Sequence, residues 1–214
     1  MPQSLIYMHH AIGCEPRAYA EAARALMRLD WASRGAALYG VWRAQIGRPR
    51  DELTAITVWT DPLAAQSFDE MVSAIPQARG VASESLIPTL RPVEPVAPRR
   101  QGNYAFRWFE LPVKHWTEFS ALCEAAWPGF ESAYDSQVIG LWRCLQAQPD
   151  RVRSLLLTRR PNLAMWERSK IPQGTQESEV RRILSRRYDL CDDTWVHTAT
   201  LITAEDHVDE ARWT

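Results

Sequence analysis

Apolar positions along this chain fall into two regimes: short dense runs, and longer stretches where they return every three or four residues. The run SLIYMHHAI at 4–12 is apolar and aromatic with little charge, which predicts a strand buried on both faces. From Pro16 to about Arg34 the residues Tyr19, Ala22, Ala23, Leu26 and Met27 keep helical spacing, and Gly35 closes the segment. Pro16 suits its start, since a first helical turn leaves that N–H unused. AALYGVWRAQ and ELTAITVWT then read as two strands joined by a turn at Gly47 and Pro49. Asp61 and Pro62 open a second helix to about Ile75, and SESLIPTLRPV reads as a closing strand with Pro88 at an edge or bulge.

The pattern then repeats. GVWR at Gly40–Arg43 returns as GLWR at Gly140–Arg143, and an ungapped overlay of 40–69 on 140–169 also matches Pro49 with Pro149, Leu63 with Leu163 and Ala64 with Ala164. A period near 100 residues is too long for a solenoid and fits tandem domains. The second half offers a strand from Tyr104 to Glu110 and a helix from Pro112 with Trp116, Phe119, Cys123 and Trp127 on one side, stopping at Pro128 and Gly129. Strands at 137–146 and 152–159 follow, then a helix from about Asn162 and an inserted helical segment, Thr175 to Tyr188, carrying Val180, Ile183 and Leu184. TWVHTATLIT closes the half as a strand. Pro92, Pro95 and Pro98 block both helix and central strand, so residues 93–102 read as a linker between domains at 1–92 and 103–214. Each half is β-α-β-β-α-β, the ferredoxin-like order, which leaves one sheet face uncovered. Packing the two faces together gives an α+β fold: two tandem ferredoxin-like domains forming a pseudo-dimeric α/β barrel.

Composition narrows the function. A hydrophobic share of 46% with 24% charged residues is that of a folded globular chain, and a net charge of −1 argues against nucleic acid. No leader-like start and no run of about 18 apolar residues is present, so a cytoplasmic, membrane-free protein is the expectation. The four cysteines lack CxxC or paired spacing and read as reduced, packed thiols. Ten tryptophans imply a bulky core or an aromatic-lined pocket.

The stretch YAFRWFELP, Tyr104–Pro112, is similar to the opening strand of the NIPSNAP-like branch of the dimeric α/β barrel superfamily: Tyr104, an apolar Phe106 and Arg107, then a helix near a Pro. Tyr7, His9 and His10 match in the first half, with His10 where the pattern has Arg. The resemblance covers both copies and implies the same fold. That superfamily includes cofactor-independent monooxygenases, isomerases and cyclases, haem enzymes and proteins without known activity.

His9 and His10 are strand neighbours pointing to opposite faces, so they cannot share a metal, and no metal site is expected. His10, aligned with Arg107, is the candidate acid or base. Arg107, Arg43 and Arg143 lie inside strands, where a guanidinium needs an acidic partner such as Glu110 or Asp135, or a ligand anion. Gly40 and Gly140 share a face with Trp42 and Trp142, leaving room for a ring of the protein or of a ligand. These residues suggest an enzyme without tightly bound metal, isomerising, cyclising, eliminating from or oxygenating a small hydrophobic aromatic or polyketide-like molecule. Tyr39, Trp42, Trp59, Tyr104 and Trp142 are the expected substrate contacts, in a pocket between sheet and helices. A non-catalytic binding or scaffold protein is the first alternative. The second is a haem enzyme using His115 or His197. Arg181, Arg182, Arg186 and Arg187 read as a solvated helix face balanced by Glu177, Glu179 and Asp189. Assembly as a monomeric pseudo-dimer or a homodimer fits either function.

Overall fold

In the computed structural model, which describes residues 5–65, 67–146 and 148–206, the chain forms two compact units. Ser4 and Gln66, which fall within the first expected strand and the second expected helix, lie outside the described residues.

The first unit contains β1 (Ile6–Cys14), α1 (Tyr19–Arg28), β2 (Ala36–Ile46), β3 (Glu52–Trp59), α2 (Pro62–Ala65), α3 (Phe68–Ser73) and β4 (Ala78–Pro88). Its antiparallel sheet places β1 between β4 and β3, with β2 beyond β3. Thr198–Leu201, the end of β8 (Asp193–Leu201), adds a further rung beside β2. One sheet face buries Met8, Ile12, Val41, Leu53, Ala55 and Trp59 under α1 and α3, whose inward residues include Ala22, Leu26, Phe68 and Val72. α1 is shorter than the apolar period suggests: it ends at Arg28, and Ala32–Arg34 forms a single 3₁₀ turn closed by left-handed Gly35.

The second unit repeats this plan with β5 (Asn103–Pro112), α4 (Trp116–Ala133), β6 (Gln137–Cys144), β7 (Arg151–Arg160), α5 (Leu163–Arg168), α6 (Thr175–Asp189) and the start of β8. β7 lies between β5 and β6, and Thr89–Arg91 continues the sheet past β6 through Thr89 N–H to Leu141 O (3.0 Å) and Leu141 N–H to Arg91 O (2.9 Å). Contrary to expectation, α4 does not stop at Pro128 and Gly129 but runs on to Ala133. Burial of Phe119, Cys123, Ala126, Trp127 and Phe130 along one face outweighs the hydrogen bond that Pro128 removes. Gly129 has a packing reason: a Cβ there would stand 2.6 Å from Val180 Cγ2, so glycine lets α6 close on α4. No helix among the described residues is long and apolar enough to cross a membrane.

The GxWR motif has the same explanation in both units. A Cβ on Gly40 would stand 2.5 Å from Trp42 Cη2, and one on Gly140 would collide with Trp142, so each glycine makes room for the indole two residues on. The room therefore belongs to the protein's own ring. Val41 and Leu141 enter the helix-side cores. Arg43 lies 4.5 Å over Tyr19, the first residue of α1, and Arg143 lies 5.2 Å over Trp116, the first residue of α4. Each arginine ties a strand to the start of its helix by a cation–π contact.

Candidate functional site

The motif sets a register in which the two units can be compared position by position. Val41 pairs with Ala55 and Ala55 with His10; Leu141 pairs with Leu156 and Leu156 with Arg107. His10 and Arg107 are therefore equivalent, as the alignment of the halves implies. By the same ladders Met8 corresponds to Ala105, Thr57 to Thr158 and Trp59 to Arg160. All of these side chains face the helices of their own unit.

In the first unit His10 and its described neighbours pack tightly in this space. His10 is fully buried and stacks on Phe68 with centroids 3.3 Å apart and planes 12° from parallel. Its Nε2 lies 2.8 Å from Thr57 Oγ1, its Nδ1 2.8 Å from Ser83 Oγ. Trp59 Nε1 donates to Thr57 (2.6 Å) and Ser83 donates to Asp69 (3.2 Å). Ser83 spends its one O–H on Asp69, so Nδ1–H must donate to Ser83, and in the neutral imidazole Nε2 accepts from Thr57. Burial, with the adjacent His9, pushes its pKa well below the usual value, which agrees. His10 thus has both ring nitrogens committed.

In the second unit the equivalent space is open. A cleft of about 60 Å³ lies between β5, β7 and the helices, floored by Ala105, Leu156 and Thr158. Ala105 in place of Met8 frees volume, and Arg107 and Arg160 replace His10 and Trp59. Trp127 and Phe130 of α4 and Trp166 of α5 supply aromatic walls, while Lys170 and the α6 residues Arg181, Arg187 and Tyr188 complete the lining. Asn162 caps α5 by accepting from Met165 N–H (2.8 Å), which starts the helix that carries Trp166. Arg168 then grips Glu177 with two bonds (2.7 and 2.9 Å), and Gln173 N–H donates to the same carboxylate (2.6 Å), fixing the segment that holds Lys170.

The cleft concentrates positive charge. Burial, reinforced by Arg107, lowers the Arg160 pKa to about 10. Burial and then Arg107, Arg160, Arg181 and Arg187 lower Lys170 to about 8. The lining contains no carboxylate. Nearby acids are engaged elsewhere: Glu177 with Arg168, Glu110 with Arg153 (2.8 Å), Glu131 with Arg91 (2.8 Å) and Glu179 with Arg182 (2.7 Å). The expected solvated arginine face of α6 is corrected at one position. Arg182 and Arg186 are surface ion-pair residues, but Arg187 is 4% exposed and lies 4.8 Å over Phe109. Its spacing of seven from Val180 puts it on the buried stripe.

Of the candidate catalytic and substrate-contact residues named from sequence, Arg107 alone lines this cleft. Tyr39, Trp42, Trp59, Tyr104 and Trp142 are all buried in the sheets. Arg160 and Lys170 escaped sequence reasoning, and Arg187 was assigned to the solvated face of its helix. The lining offers no His, Cys or Met to a haem iron, and its one phenol is Tyr188. His115 Nδ1 meets Leu190 O (3.2 Å), and His197 stacks on Phe106 (4.9 Å), both away from the cleft. Among the described residues no three or more His, Cys, Asp or Glu side chains group as a metal site.

No protein family and no curated protein matches the chain. Solved structures do. An anthrone oxidase-like protein matches with TM-score 0.61 and 10% identity over 94% of this chain and 92% of its own. The chain shares the dimeric α/β barrel fold of these structures. A monooxygenase candidate from Lactobacillus acidophilus NCFM gives 0.57 and 14% over 94% and 97%, and a variant of chlorite dismutase from Candidatus Nitrospira defluvii gives 0.63 and 8% over 94% and 92%. Identities this low carry the barrel fold and not a reaction.

Proposed function

We propose that the protein is a small-molecule enzyme of proton-transfer and oxygen chemistry, working in the cleft of the second unit. The observation that supports this reading best is a lysine with a pKa near 8 set beside two strand arginines in an aromatic-walled cleft. Neutral Lys170 removes a proton from an activated C–H of an aromatic or polyketide-like substrate. Arg107 and Arg160 stabilise the enolate that forms. With dioxygen as co-substrate an activated methylene becomes a carbonyl, R–CH₂–R′ + O₂ → R–CO–R′ + H₂O, and the substrate supplies all the electrons. Similarity to the anthrone oxidase-like protein and the monooxygenase candidate directs the reading toward oxygen. Without dioxygen the same base and arginines serve isomerisation, cyclisation or elimination. Placement in the NIPSNAP-like branch belongs to this proposal and rests on Tyr104, Phe106 and Arg107. In it, His10, Arg43 and Arg143 hold structure and Lys170 takes the role of base.

Oxygen uptake with anthrone, corrected for its spontaneous oxidation, tests the reaction. The groups facing Lys170 are Arg107 from β5, Arg160 from β7, and Arg181, Arg187 and Tyr188 from α6. Because the neutral amine is the active form, kcat/KM should climb about tenfold per pH unit up to pH about 8 and then level off. Lys170→Met should remove that limb. A limb that survives the substitution places the base elsewhere, and binding without turnover would favour the non-catalytic alternative.

A further inference from the structure

Hydrogen-bond demand in the cleft is one-sided. Four side-chain atoms of lining residues are buried with no hydrogen-bond partner among the described residues: Arg160 Nε, Arg187 Nε, Trp127 Nε1 and Trp166 Nε1. Every one is an N–H donor. Arg160 is 7% exposed and Arg187 4%, and among the described residues their side chains donate from Arg160 Nη1 to Thr158 Oγ1 (3.1 Å) and from Arg187 Nη1 to Cys123 Sγ (3.6 Å). Guanidinium charge held in a wall that contains arginines and no carboxylate carries a large desolvation penalty that an anion in the cleft relieves. A neutral substrate would not relieve it.

Resting on the function proposed above, we propose that the ligand of this cleft is an aromatic carboxylate, with its carboxylate among Arg107, Arg160 and Arg187 and its ring against Trp127 and Phe130. The planar guanidinium fork suits a carboxylate, and the cleft's small volume admits the head and reacting edge of a flat molecule. Aromatic walls distinguish this from a site for a bare oxyanion.

Benzoate, benzamide and inorganic phosphate separate the possibilities by calorimetric titration of the full chain. Benzoate should bind at least tenfold more tightly than benzamide and than phosphate. Arg107→Met and Arg160→Met should each weaken benzoate at least tenfold while the thermal transition persists, and Arg182→Met, at an exposed ion pair outside the cleft, should leave it within twofold. Equal binding of benzamide, tighter binding of phosphate, or benzoate binding unchanged in both cleft variants would overturn the assignment. The two proposals fail separately. Benzoate binding by these residues without any oxygen uptake removes the reaction and keeps the ligand class. Uptake with neutral anthrone that depends on Arg107 and Arg160, in a protein that binds benzoate no better than benzamide, removes the ligand class and keeps the reaction.

Discussion

Arg160→Met is expected to make the protein more stable and less active at once. The side chain is buried, its Nε has no hydrogen-bond partner among the described residues, and burial with the neighbouring Arg107 lowers its pKa to about 10, so the native state carries a charge that its surroundings resist. Replacing buried ionic groups by well-packed apolar ones is commonly neutral or stabilising by about 1–4 kcal/mol. In a chain of this size each kcal/mol raises Tm by about 2–4 °C. The first unit shows that the position accepts an apolar side chain, because Trp59 occupies it there, fully buried. Methionine also keeps the contact with Phe130, over which the guanidinium now lies at 5.0 Å. Loss of one preorganised donor to a developing oxyanion costs about 10²–10³ in kcat. Thermal unfolding and steady-state rates on the same preparation check both halves. A fall in Tm that matches the loss of activity would make Arg160 a structural residue and remove it from the site.

That divergence between the units also marks how far the sequence reaches. Periodicity and turn residues reveal both β-α-β-β-α-β series, and the spacing of GVWR and GLWR sets the register that equates His10 with Arg107. Beyond that register, the cleft is hard to read because it is made by relative size. Ala105 is unremarkable until the ladder sets it against Met8, and Arg160 lies at a strand end where an exposed arginine is ordinary. Arg187 was readable, since 180, 184 and 187 share one helical stripe, but its neighbours Arg182 and Arg186 are surface residues and the group looks uniform. Lys170 follows no periodic pattern. Its place depends on Arg168 gripping Glu177 nine residues on, a pairing across an irregular turn that residue spacing does not select. The tryptophan-rich faces were legible as aromatic, and Trp42 and Trp142 fill the space their glycines leave.

The strongest structural effect should come from that filling. Trp142 is fully buried, and Trp142→Ala should cost about 3–5 kcal/mol, a large share of the roughly 5–15 kcal/mol that holds a typical domain. Gly140→Ala should cost about 1–3 kcal/mol for the opposite reason, since its methyl would press into the indole. The two effects must interact if glycine and tryptophan share one space. With the ring gone, the methyl added by Gly140→Ala enters a vacancy, so the double variant should be less destabilised than the sum of the singles by about 1 kcal/mol or more. The equivalent cycle at Gly40 and Trp42 should give the same sign, because the same collision is built into the first unit. Denaturant titration of the three variants in each unit measures this. Additive losses would mean that the glycines are needed for backbone shape alone, and the repeated motif would then need a different physical cause in each half.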